Sequence, residues 1–187
     1  MKKFQLPKNL RYALIFFFVI FFAALAGQPF PEGYFHLADP LVMMAAAVLP
    51  LPLALITSVI ACVAVDCIKG YTLLALTTAI AKVLLVLAVK GLLKLPAAQK
   101  FPDLIAAPAA LLSIPCNYLG CAAVYFYTAF SGETSIAKQL STALSYATRV
   151  LQKETVQALL GVLLFVLLYG VYKKMKGRRA KKPTDEE

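Results

Sequence analysis

A lysine stands in the middle of an apolar run, LTTAIAKVLLVLAV, as Lys82. A charge facing lipid at that depth costs about 2.5–3.5 kcal/mol even on a mild insertion scale. Such a residue therefore pairs with an acid, snorkels to a headgroup or lines a polar cavity. Thr78 lies one helical turn away on the same face. Asp66 precedes a Gly-Tyr pair at residues 70–71, and either Lys69 or Lys82 is a candidate ion-pair partner for it. Asp39 comes just before Pro40, where an anion suits a helix N-terminus as a cap. Asn117 and Tyr118 sit within a further apolar stretch, and Gln157 opens another. An amide donates and accepts hydrogen bonds to a small planar ligand, and a tyrosine ring can stack on one. The same groups also serve as hydrogen-bonding glue between helices.

The elements that position these residues are long apolar helices. The chain has 187 residues, of which 61% are hydrophobic and 15% charged. A soluble domain is about 45–50% apolar and about 25% charged. The mean hydropathy of +0.77 is carried in long runs, which predicts an all-α integral membrane protein. Six spans are expected, over about 12–27, 37–49, 53–68, 72–93, 104–130 and 155–172. Pro108 and Pro115 predict a kink or break in the fifth. Before the sixth, Ile136, Leu140, Leu144 and Ala147 fall at helical spacing and suit an interfacial amphipathic helix. Residues 1–173 form one transmembrane domain, and 174–187 read as a charged, disordered tail.

The formal net charge is +10, and the basic residues cluster outside the apolar runs. Lys2, Lys3, Lys8 and Arg11 precede the first span; Lys173, Lys174, Lys176, Arg178, Arg179, Lys181 and Lys182 follow the last. That placement points to anionic lipid headgroups and away from nucleic acid. Basic ends place both termini in the cytoplasm, with an even number of spans. Lys94 and Lys100 agree with this arrangement, whereas Lys138, Arg149 and Lys153 fall on the outer side and weigh against it. The apolar run over 12–27 is longer than a signal-peptide core and reads as a retained helix. Cys62, Cys67, Cys116 and Cys121 form no CxxC pair and read as small apolar filler.

The marks of membrane enzymes are missing. There is no phosphate-binding GxxxxGK[ST], no HExxH and no GxSxG, and the single histidine, His36, cannot build a histidine metal cluster. This pattern excludes ATP hydrolysis by the chain itself and gives no metal site.

The segments GYFHLADPLVMMAAAVLP and VIACVAVDCIKGYTLLALTTAIAK resemble the substrate-binding S components of energy-coupling-factor transporters. In that family a GY-x-N-L-G-D-like segment opens the second helix, an aspartate on the third precedes a Gly-Tyr turn, and a threonine-rich fourth helix carries a lysine. The matching positions are Gly33, Tyr34, His36, Leu37, Ala38 and Asp39, then Asp66, Gly70 and Tyr71, then Thr77, Thr78 and Lys82; Gln157 and Gly161 match a Q-x-x-x-G pattern. His36, Ala38 and Glu154 depart from the usual Asn, Gly and Asn.

The resemblance implies a six-helix bundle that captures a small polar nutrient, a vitamin or vitamin precursor, from outside. It adds His36 and Tyr71 to the candidate ligand-binding set of Lys82, Asp66, Thr78, Asn117, Tyr118, Gln157 and Asp39. It implies no cofactor bound by this chain. ATP and Mg would be used by two cytoplasmic ATPases, coupled through a transmembrane T subunit, with Ala23 and Gly27 as the close-contact positions for that subunit. Two other readings fit the residues: a small gradient-driven permease or channel with Lys82 and Asp66 as a relay, and a noncatalytic membrane assembly protein.

Overall fold

In the computed structural model the described residues are 6–30, 33–101, 103–129 and 135–180. Helix α1 spans Lys8–Leu25, and two three-residue strands follow, β1 (Gln28–Phe30) and β2 (Gly33–Phe35), paired antiparallel with Gln28 opposite Phe35. Then come α2 (Asp39–Val48), α3 (Leu51–Ile68), a 3-10 turn at Thr72–Leu74, α4 (Ala75–Leu92), the short α5 (Pro96–Lys100), α6 (Asp103–Ala129) and α7 (Ile136–Ala180). Among the described residues, five helices are long and apolar enough to cross a membrane. The length and composition of these elements are those of a helical, multi-pass membrane protein.

The expected second span is the exception. α2 has ten residues, a length of about 15 Å, half of a bilayer core of about 30 Å. Its position follows from three polar ties. Lys69 Nζ, just after α3, donates to the Gly27 carbonyl at 2.8 Å, so α1 and α3 leave from the same end of the bundle. Lys90 Nζ, near the end of α4, donates to the Leu49 carbonyl at 2.5 Å, so α2 and α4 finish at the opposite end. Asp39, the first residue of α2, pairs with Lys82 of α4, two turns before Lys90. α2 therefore starts midway along α4 and fills only one half of the bundle. It is enclosed by α1, α3, α4 and α7, with Val42, Met43, Ala45 and Ala46 at 0% exposure. An apolar face all round is what such a helix needs.

The other helices are one-sided. α1 buries Ala13, Ile20 and Ala24 and exposes Leu14, Ile15, Phe18, Val19 and Phe22. An exposed face this apolar suits lipid rather than water. Ala23 is half-buried against the core, and the Gly27 carbonyl accepts from Lys69.

Three local expectations change. α6 runs unbroken through Pro108 and Pro115. The amphipathic segment and the sixth span are not two elements but one 45-residue helix, α7. That helix also carries the charged segment from Lys174 to Ala180, so this part of the tail is helical; residues 130–134 and 181–187 lie outside the described residues. Helix α7 is about 67 Å long at 1.5 Å per residue, roughly twice a bilayer core, because no proline or glycine interrupts it before Gly161.

Two glycines fix the ends and spacing of these helices. Gly70 has φ +84°, and the Tyr71 N–H returns to the Asp66 carbonyl at 2.8 Å. This is the left-handed stop that terminates α3 and that only glycine adopts without strain. At Gly120 a Cβ would collide with the Thr77 side chain, so α6 and α4 touch there backbone to side chain. Gly120→Ala is expected to cost about 1–3 kcal/mol by overpacking and to lower the melting temperature in detergent. Thr77→Ala removes the two nearest obstructing atoms and should restore part of the loss; an unaltered melt in the single variant would show that the helices separate freely.

Candidate functional site

The half-length α2 leaves the other half of the bundle interior to be filled, and it is filled by polar side chains around a cavity. The empty space is about 560 Å³, its open mouth included. Asp66 of α3 and Tyr71 beyond it form one wall. Leu74, Thr77, Thr78 and Lys82 come from the α4 side, Asn117 and Cys121 from α6, and Lys153, Glu154 and Gln157 from α7. His36, from the segment between β2 and α2, closes the ring.

The floor is the Lys82–Asp39 ion pair, with Lys82 3% and Asp39 7% exposed. Sequence reasoning offered Asp66 as the acid for Lys82 and gave Asp39 a capping role. The structure assigns Lys82 to Asp39, and no side-chain cap closes the start of α2. The reason is geometric: Asp39 begins a helix at mid-bundle, so its carboxylate meets the buried ammonium while lying at the positive end of the α2 dipole. Gln157 extends the pair. Its Nε2 donates to Asp39 Oδ2 at 3.5 Å and its Oε1 accepts the His36 N–H at 3.0 Å. His36 Nδ1 in turn accepts the Ala38 N–H at 3.2 Å, which leaves the ring proton on Nε2.

A second polar group closes the α6–α7 side. Lys153 Nζ lies 3.1 Å from Glu154 Oε1, and Asn117 Nδ2 donates to Glu154 Oε2 at 2.8 Å. Both Lys153 and Glu154 are more than nine-tenths buried. The sequence placed Lys153 on the outer side and marked Glu154, just before the sixth span, only as a departure from the family's Asn; neither was expected to be buried. The unbroken α7 overturns both: positions 143, 147, 150, 154 and 157 recur at three- and four-residue spacing and all are buried. That periodicity was the signal for the missed pair. Cys121 was also missed, one turn beyond Asn117 on the same face of α6, and Thr77 entered only through the resemblance.

Of the predicted binding residues, His36, Asp66, Tyr71, Thr78, Lys82, Asn117 and Gln157 line the cavity, and Asp39 lies beneath it. Tyr118 is half-buried and not among the lining residues. Among the described residues, no three of His, Cys, Asp and Glu converge as a metal-binding group.

Fold and site together define a multi-pass helical bundle with a closed-floored polar chamber. No protein-family model, curated protein or solved structure matches the chain.

Removing one partner of a buried pair leaves the other charge stranded, at about 3–5 kcal/mol. Lys82→Met should therefore lower the detergent melting temperature sharply. Asp39→Asn in the same chain should recover much of the loss, and Asp66→Asn should not. Rescue by Asp66→Asn alone would reassign the pair.

Proposed function

We propose that the chain is a substrate-binding membrane subunit of the energy-coupling-factor type, capturing a small polar nutrient of the vitamin or vitamin-precursor class. The observation that carries this reading is the chamber with a solid floor: polar side chains from four helices surround a cavity, and α2 plugs the bundle beneath it. A one-ended polar hollow suits capture better than open conduction, which favours a binder over a channel. The lining offers both charge signs, three hydroxyls and two amides, so it suits a ligand that donates and accepts hydrogen bonds rather than a bare ion. The resemblance of the segments around Asp39, Asp66 and Lys82 supports the same assignment. In this reading the transmembrane T subunit and two ATPases supply ATP-driven uptake, and the ends of the chain lie in the cytoplasm of a cell membrane. α2, though short, then reverses the chain direction as a sixth segment.

Two measurements test this. Reconstituted with its T subunit and ATPases, the chain should support concentrative uptake from rich-medium extract. Thr78→Val and Asn117→Ala should each weaken half-saturation roughly five- to hundredfold, the usual cost of an unmatched buried polar partner. Concentrative uptake by the chain alone under an ion gradient would replace this reading with the permease. In a cysteine-free background, a cysteine at Ala180 should react only with reagents that reach the cytoplasm; reaction from outside intact cells would overturn the orientation.

A further inference from the structure

Beside the polar chamber, towards the Gly70 turn, lies a second hollow of about 630 Å³, its open mouth included. Its walls differ in kind from the chamber. Tyr125 and Tyr146 stack with ring centroids 4.5 Å apart and planes 19° from parallel, and Tyr71, Val124 and Leu73 complete the surface. The two hollows adjoin, since Tyr71, Leu74 and Cys121 line both. On α6 the connection is a ladder: Asn117 in the chamber, Cys121 on the shared wall and Tyr125 in the second hollow stand one turn apart on one face. Eight residues of helix separate its ends by about 12 Å.

We propose that the two hollows form one bipartite site, in which the tyrosine-lined hollow holds a flat aromatic or heteroaromatic ring and the chamber takes a polar arm of the same molecule. The inference rests on the capture reading above and narrows its substrate to a two-part molecule about 10–12 Å long, the length of the α6 ladder. Tyrosine walls offer a ring flat faces to stack on and hydroxyls at its edge. The chamber offers the arm Thr78 and Gln157, which donate and accept hydrogen bonds. A lipid tail is the competing occupant, but the hollow adjoins a chamber of charged and amide groups, where a hydrocarbon chain reaching further would bury them without partners.

The test uses the small-molecule pool of a rich-medium culture, retained by the full chain through purification in nanodiscs and eluted by denaturation for absorbance and mass measurement. The wild type should retain a ring-bearing polar compound. Tyr146→Phe should keep it within about threefold, and Tyr146→Ala should lose it about tenfold, the scale of one lost aromatic contact. Thr78→Val should lose it as well. Tyr146→Leu, ring-free but bulkier, carries the same comparison if the alanine variant fails to fold by its melting curve. Full retention in the ring-free variants, with loss in Thr78→Val, would overturn the bipartite site and leave the capture reading standing. So would a retained polar compound without a ring, or a lipid whose loss follows Tyr146. A wild-type chain that retains no small molecule would sink both.

Discussion

The constraint on which the rest depends is the buried ion pair between Lys82 and Asp39. Two charges withdrawn from water inside a membrane bundle persist only if each has the other and further hydrogen bonds complete the shell. That requirement places the first residue of α2 beside the middle of α4. The helix is then too short to cross, and its N-terminus opens into the bundle instead of onto a surface. The backbone beyond it has to be satisfied from within, as irregular chain at membrane depth always must be. His36 and Gln157 do this, the first through Ala38 and the second through the His36 N–H. The chamber is thus the direct consequence of where one carboxylate had to stand.

Helix α7 is the second half of the same solution. Gln157 reaches the floor, and one turn earlier Glu154 joins Lys153 and Asn117 at the wall. All three α7 residues need a single register, which an uninterrupted helix provides. A break near Lys153, as two separate elements would require, would let the Glu154 carboxylate turn independently of Gln157. The floor and the wall would then no longer be positioned by one rigid body. The length of α7 is therefore tied to the site, and the helix extends to Ala180 because Gly161, Gly170 and Gly177 all keep negative φ and none turns left-handed as Gly70 does.

Much of this was legible in the sequence, for identifiable reasons. Long apolar runs reported the spanning helices, because hydropathy acts locally. The cost of burying charge singled out Lys82, Asp66 and Asp39, and the cavity gathers most of the polar residues so chosen. The partner of Lys82 was not legible. Asp39 and Asp66 are both plausible by type, and the choice depends on how deep α2 begins, which is a tertiary property. Lys153 and Glu154 were misplaced because polar residues with basic neighbours look like loop. Only the buried small residues at 143, 147 and 150 show that a helix face continues through them. Pro108 and Pro115 misled in the opposite direction, since neighbouring helices in a membrane bundle tolerate prolines that would break an isolated one.

The floor also limits how a captured molecule could leave. Below Lys82 and Asp39 the path is closed by α2, whose Val42, Met43, Ala45 and Ala46 are wholly buried. Passage straight through would require breaking the ion pair and withdrawing a helix packed on all sides. Stranding either charge costs about 3–5 kcal/mol, before the apolar contacts of α2 are counted at about 25 cal/mol per Å². Binding a small ligand supplies energy of the same order, and it must also retain enough to hold that ligand. Under the capture reading, release on the far side therefore needs either work supplied by another subunit or a change in the side that the intact bundle presents. The second route keeps the Lys82–Asp39 pair and α2 together as one rigid unit.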